Sequence, residues 1–165
     1  MIATTTTTTR PVPDTPGRRW WTSRPRHHDR PAEVLAVLQH ARAIVEAGWV
    51  QNRWTAAPAE GTAGGPGGDG SVRACVVAAV ALAVRARDPR ADLAVDTGPA
   101  VAFVWDAVFD GRAAGRSAPH HVRVARMREL ARWNDERGRT RADVVAVLDR
   151  AAARVVARVV EPAGV

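Results

Sequence analysis

A chain of 165 residues with a net charge of +7 fits one domain with a sizeable core, and its single cysteine, Cys75, excludes an internal disulfide or a cysteine-rich metal site. No apolar run is long enough to span a membrane, and the threonine-rich N-terminus lacks the apolar core of a secretory signal, so we expect a cytoplasmic protein with no membrane partner. Lysine is absent and arginine is abundant, a composition that codon usage in a high-GC genome favours. Because this bias accounts for the arginine content, the net charge alone is weak evidence for a nucleic-acid ligand.

Residues 1–28 have the composition of a disordered basic arm, with a run of six threonines and four prolines. Residues 1–30 hold six arginines and two aspartates, a net charge of +4, so the other 135 residues carry only +3. One interpretation is an arm that grips phosphates with arginine and stacks bases on tryptophan. The alternative is an arm that packs its tryptophans onto the domain or has no role. The residues concerned are Arg18, Arg19, Trp20, Trp21, Arg24 and Arg26.

Residues 29–161 are predicted to form a single helical domain. Asp29 or Arg30 caps its first helix, with Pro31 where the missing N–H costs nothing, and Gly48 ends that helix as a residue able to take positive φ. A short extended segment follows over residues 49–55, anchored to the core by its two tryptophans, Trp49 and Trp54. Residues 56–70 form a flexible Gly/Pro-rich loop that lacks the lysine and preceding strand of a phosphate-binding loop.

Four further helices are predicted from their apolar periodicity and capping residues. The second runs from a Ser71 cap to Arg87, and residues 89–97 form a polar connection. The third runs from a Thr97 cap to Gly111, the fourth from Pro119 to Trp133, and the fifth begins at Thr140 with capping-box spacing to Asp143. Useful strand-like alternation is absent from the sequence. The predicted class is all-α, a compact bundle of four to five helices.

The bend between the last two helices, Trp133-Asn134-Asp135, has two interpretations. As structure, Trp133 packs under the turn while Asn134 and Asp135 end one helix and bond free N–H groups of a neighbour. As function, an indole beside an amide and a carboxylate is a recognition surface for a partner. Trp49 and Gln51 are predicted to complete the same cluster, because buried polar side chains near a turn need partners.

These residues carry a resemblance that covers roughly residues 32–152. The chain resembles an uncharacterised family of small proteins from high-GC Gram-positive bacteria and their phages, in which a helix ends in Gly-Trp-x-Gln, a later helix bears Cys-x-x-Gly-Ala, and Trp-Asn-Asp precedes a Thr-led amphipathic helix. Two positions depart from that pattern, since Asn52 and Ala78 stand where the family tends to have glycine. The resemblance implies a domain of unknown function and assigns no activity.

Catalytic readings of the sequence are weak. Cys75 as nucleophile, His120 or His121 as base and Asn134 as orienting residue reproduce the order of a papain-like triad, but the order alone is easily shared by chance. A core cysteine in an Ala/Val-rich helix, on one face with Val72, is the alternative. No His or carboxylate spacing typical of a metal site occurs, so we expect neither metal nor cofactor.

Taken together, the sequence favours a non-enzymatic binding or regulatory helical module whose ligand it does not identify. Two alternatives stay open. The first is a nucleic-acid-binding protein that uses the arm together with helix arginines at 123, 126, 154 and 158. The second is a Cys-dependent hydrolase. A protein partner fits the favoured reading, the binding or regulatory module. The candidate functional or structural cluster consists of Trp49, Gln51, Cys75, Trp133, Asn134 and Asp135.

Overall fold

The protein is described by a computed structural model over residues 30–57, 72–110 and 118–160. The predicted arm and nearly all of the predicted loop lie outside the described residues. Among those that are described, five long helices, one four-residue helix and one pair of two-residue strands confirm the all-α class. The elements are α1 (Pro31–Ala47), β1 (Thr55–Ala56), β2 (Arg73–Ala74), α2 (Val76–Arg87), α3 (Leu93–Asp96), α4 (Gly98–Phe109), α5 (His120–Asn134) and α6 (Arg141–Val160).

The core is centred on α1 and α6, which pack against each other in antiparallel directions. Arg141, the first residue of α6, donates to the Glu46 carbonyl near the end of α1, whereas Pro31 lines the same groove as Val160 at the opposite end of the pair. α2 covers α1, and α4 covers the other side of α6. The largest fully buried side chains are all leucine or valine and include Leu38, Val45, Val80, Val104, Leu130 and Leu148.

The first helix begins as its sequence predicts and ends for a different reason. Arg30 is the N-cap and Pro31 the first helical residue. Gly48 has φ −174°, an extended conformation open to any residue, so the predicted positive φ is wrong. Glycine is required there by space, because a Cβ on Gly48 would lie 2.4 Å from Cγ of Arg73.

The predicted start of the second helix at Ser71 is wrong. α2 begins at Val76, because Arg73 and Ala74 pair with β1 and the N–H of Cys75 donates to the Trp54 carbonyl at 2.9 Å. Cys75 is the N-cap itself, and its Sγ accepts from the Ala78 N–H at 3.5 Å. Val72, placed on the buried face of that helix by the sequence, precedes β2 and is 45% exposed.

The predicted polar connection over residues 89–97 contains the short helix α3, which the sequence did not predict. Asp92 caps α3 through a bond from the Ala94 N–H to its carboxylate, at 3.1 Å. Thr97 is the N-cap of α4, as predicted, but its hydroxyl donates back to the Leu93 carbonyl instead of capping. Asp110, at φ 46°, ends α4, and the predicted terminator Gly111 lies outside the described residues.

The predicted hinge between the last two helices is confirmed. α5 runs through Asn134, the chain turns through Gly138 at φ 87°, and α6 follows. The capping box is present, since the Asp143 carboxylate accepts from both the N–H and the hydroxyl of Thr140 at 2.8 Å. None of the helices in the described ranges is both long and apolar enough to cross a membrane.

Candidate functional site

The side chain of Asn134 joins three separate parts of the chain and is 0% exposed. Its Oδ1 accepts from the Trp49 indole N–H at 2.9 Å and from the Val76 N–H at 3.2 Å. Its Nδ2 donates to the Val50 carbonyl at 3.1 Å and to the Asp135 carboxylate at 2.9 Å. An amide has two acceptor and two donor positions, so Asn134 is fully satisfied. It has no polar group left for a ligand.

One of those bonds replaces a missing helix bond. Val76 is the first residue of α2, and its N–H has no partner within the helix. Asn134 supplies the acceptor from the end of α5. The same oxygen holds the indole of Trp49, so a single side chain ties together the end of α5, the start of α2 and the segment that follows α1.

Further hydrogen bonds of Gln51 and Asp135 join the segment after α1 to the end of α5. The Gln51 amide donates to the carbonyls of Asn134 and Glu136 at 2.9 and 3.0 Å, which are acceptors freed by the end of α5. Asp135 Oδ1 accepts from the Asn52 N–H at 2.8 Å. Asn52 has φ 58°, a left-handed conformation that asparagine and glycine tolerate best. Glycine, expected there from the family resemblance, suits the same backbone.

Trp133 is 9% exposed and packs into the core beneath the turn. The Arg139 guanidinium lies 4.1 Å from the centre of its ring, and Arg139 Nε donates to the Trp133 carbonyl at 3.1 Å. A cation over an indole face is attracted by the ring quadrupole. The indole of Trp133 is therefore covered by the turn that follows it.

Cys75 lies at the edge of this cluster and is 5% exposed. Burial raises the pKa of its thiol above the ordinary value, and the nearby Asp135 carboxylate adds to that shift, against smaller opposing effects of backbone N–H groups led by that of Ala78. A raised pKa keeps the thiol protonated at neutral pH, whereas thiol nucleophiles react as thiolates.

The alternative triad of Cys75, a histidine of α5 and Asn134 is not assembled. His120 and His121 are exposed at the first turn of α5, whereas Asn134 is the last residue of that 15-residue helix. At a rise of about 1.5 Å per residue the histidines lie about 20 Å from Asn134. The Asn134 amide bonds Trp49, Val76, Val50 and Asp135 and orients no imidazole.

An open cleft of about 160 Å³ lies beside the network, formed by Asn52, Arg53, Trp54, Cys75, Ala131 and Asp135. Trp54 is 60% exposed, so the prediction that it anchors the extended segment to the core is wrong. Its backbone carbonyl accepts from the Cys75 N–H at 2.9 Å, while its side chain lies at the surface. Arg53 and Ala131 were not singled out from the sequence, and Asn52 was noted only as a departure from the family pattern. Only the glycine expected at position 52 hinted at a special backbone there.

The helix arginines considered for nucleic acid contact the protein itself. Arg123 donates to the carbonyls of Ala94 and Ala118, and Arg154 to the carbonyl of Asp106 and the carboxylate of Asp110. Arg126 is buried, with its guanidinium 5.2 Å from the Trp105 ring centre, and that of Arg158 is 5.0 Å from the ring centre of Phe103. The six arm residues proposed for nucleic acid lie outside the described residues.

In the described ranges, no group of three or more His, Cys, Asp or Glu side chains is placed to hold a metal ion. Fold and site together define a small helical protein in which a buried asparagine fastens an extended segment to two helix ends. The chain belongs to a family of unknown function (DUF6197), whose model matches residues 29–154. No curated protein and no solved structure matches the chain.

Proposed function

We propose that this protein is a non-enzymatic binding module that recognises a segment of a partner protein in the cleft around Trp54. The observation that carries the proposal is the 60% exposure of the Trp54 side chain on a backbone that is fixed on both sides. Tryptophan is one of the residue types enriched among the energetic hot spots of protein interfaces.

The support for Trp54 is already formed without a partner. On one side the Asn52 N–H bonds the Asp135 carboxylate, and on the other the Trp54 carbonyl accepts from Cys75. β1, which begins at the next residue, pairs with β2. A loop held in one conformation loses little entropy on binding, so more of its contact energy contributes to affinity.

The lining of the cleft suits recognition better than chemistry. Arg53 and Asp135 offer opposite charges near an indole face, a combination that can bind a peptide carrying both a polar and an apolar side chain. The thiol of Cys75 has a raised pKa through burial, so the one nucleophilic group in the lining is held as a neutral thiol. These features support a binding surface in preference to a hydrolase site.

Selection of binders from a random-peptide display library against the full chain tests the proposal. Affinities of the enriched peptides would be measured for the wild type, Trp54→Ala and a matched control, Phe109→Ala, which removes another exposed aromatic ring. We expect Trp54→Ala to weaken binding by about 30-fold, as loss of a hot-spot residue does, and the control to leave it unchanged. Peptides that bind Trp54→Ala as well as the wild type would contradict the proposal.

A measurement of affinity against salt concentration distinguishes nucleic-acid binding by the arm from this function. Contacts to phosphate make affinity fall steeply as salt rises, whereas a cleft dominated by an indole responds weakly. A cytoplasmic location and an origin among high-GC Gram-positive bacteria or their phages remain the expectations from composition and resemblance.

A further inference from the structure

An apolar groove lies at the far end of α1 from Trp54. It has a volume of about 440 Å³ and is formed by Pro31, Ala32, Leu35, Val155, Val156, Val159 and Val160. Three of its valines are strongly exposed: Val156 by 47%, Val159 by 58% and Val160 by 73%. A volume of this size is in the range of ordinary ligand pockets, and its lining contains no charged or polar side chain.

The groove exists because the last turns of α6 have fewer neighbours than the rest of that helix. Val155 is 1% exposed, whereas Val156, one residue further on, lies at the groove surface. β-Branched residues disfavour a helix slightly, so these three exposed valines gain nothing from helix propensity. Exposed apolar side chains that are contiguous on one surface are typical of a contact site.

We propose that the groove is the docking site of the tryptophan pair Trp20–Trp21 of the same chain. The two residues that begin α1, Pro31 and Ala32, form one wall of the groove, so the chain that precedes Arg30 starts at the groove itself. The pair is the only apolar aromatic feature of residues 1–29. Indoles bring the largest apolar area of any side chain to such a site.

The spacing suits this occupant. Nine residues separate Trp21 from Pro31, and an extended chain covers about 3.3 Å per residue, or about 30 Å. The groove side of α6, from Val155 to Val160, extends over about 8 Å at about 1.5 Å per residue. Tethering at this range gives an effective concentration in the millimolar range, so a modest affinity suffices to keep the groove occupied.

A second copy of the chain fits the groove less well. Stable interfaces of standard size use about 20–30 residues on each side, whereas seven residues line this groove. The side chains next to the pair, Arg18, Arg19, Arg24 and Arg26, keep water contact when only the two indoles are buried. Docking of the pair would also withhold both tryptophans from stacking on nucleic-acid bases.

Methyl NMR of the full chain tests the proposal. An indole stacked in the groove shifts the methyl resonances of Leu35, Val156 and Val159 through its ring current. We expect those shifts to be lost together in Trp20→Ala/Trp21→Ala and to persist in the matched arm variant Arg24→Ala/Arg26→Ala. Because the tryptophan pair precedes α1 and contributes nothing to the described core, the first variant is expected to unfold at the same temperature as the wild type or slightly lower.

A second variant, Val156→Asp, places a charge at a half-exposed groove position and should move the resonances of both arm indoles to the values of free tryptophan. Methyl shifts that are identical with and without Trp20 and Trp21 would overturn the proposal. So would shifts that depend on protein concentration together with a doubled mass in sedimentation, because they would identify a second copy as the occupant. Retention of the wild-type indole resonances in Val156→Asp would also contradict it.

Discussion

At the scale of single residues, Asn134 occupies a position where a helix end, a helix start and an extended segment each leave polar groups that need partners. Its amide satisfies an indole N–H, a backbone N–H and a carbonyl at once. The sequence indicated that asparagine would serve the turn itself. It also placed Trp49 in the same cluster, but it could not show that residues 50 and 76 supply the other partners, because such contacts depend on how distant elements pack.

Asn134→Ala is expected to lower the free energy of unfolding by about 3 kcal/mol, because it leaves buried groups of Trp49, Val50 and Val76 without partners. Gln51→Ala, which removes two bonds at a partly exposed site, should cost about 1 kcal/mol. Urea unfolding followed by circular dichroism measures both. Gln39→Ala, exposed on α1, is the control and should stay within about 0.5 kcal/mol of the wild type. Equal effects of the three variants would contradict this role.

Cys75 is expected to be an unreactive thiol, since burial raises its pKa. Alkylation by iodoacetamide at neutral pH should be slow in the native protein and fast in urea. The folded state holds the thiol proton more tightly than the unfolded state does. Stability should therefore fall as pH rises above about 8.5, the ordinary thiol pKa, and Cys75→Ala should lack that decline.

The hydrolase alternative makes the opposite prediction for Cys75. It requires rapid alkylation of the native protein at neutral pH and a dependence of the rate on His120 or His121. Rapid native labelling would therefore contradict the view of Cys75 as a helix cap, whereas Cys75→Ser should fold with nearly unchanged stability because serine is a preferred N-cap.

At the scale of elements, two glycines are needed for different physical reasons. Gly48 lies in extended backbone, where a Cβ would meet Cγ of Arg73 at 2.4 Å. Gly138 has open space around it but a φ of 87°, which side chains adopt at a cost. Gly48 was predicted as a positive-φ position, but of the two only Gly138 has that conformation. A sequence shows that glycine ends a helix but not which neighbour approaches it.

Gly48→Ala is expected to destabilise the protein by roughly 2 kcal/mol through overpacking against Arg73. In an Arg73→Ala background the same change should cost much less, since Cγ is removed. Gly138→Ala should cost about 1 kcal/mol in either background, because its strain is local. A double-mutant cycle by thermal or urea unfolding measures this difference. Equal costs of Gly48→Ala with and without Arg73 would rule out the steric explanation.

Helix ends explain most of the differences between prediction and structure. Apolar periodicity located all five long helices, because each buries a stripe against the core. The start of α2 was missed because Ser71 is a suitable cap and Val72 fits the apolar face of a helix, although Arg73 and Ala74 pair with β1. Strands this short gain their stability from tertiary contacts and leave no alternation to read.

At the scale of the whole molecule, α1 connects two surfaces of different character. Its C-terminal end leads to the polar network and the cleft of Trp54, and its N-terminal end borders the apolar groove with α6. About 25 Å of helix separates these ends. The sequence named most of the network residues but neither surface, since a cleft or groove arises from elements brought together by the fold.

The central claim is that Asn134 fixes the segment after α1 as part of the folded core, and exchange of tryptophan indole protons tests it directly. The Trp49 indole N–H, bonded to Asn134, should exchange with solvent deuterium only through global unfolding, with the same free energy that urea unfolding gives. The exposed Trp54 indole, five residues along the chain, should exchange at once. Exchange of Trp49 as fast as that of Trp54 in the wild type would contradict the account.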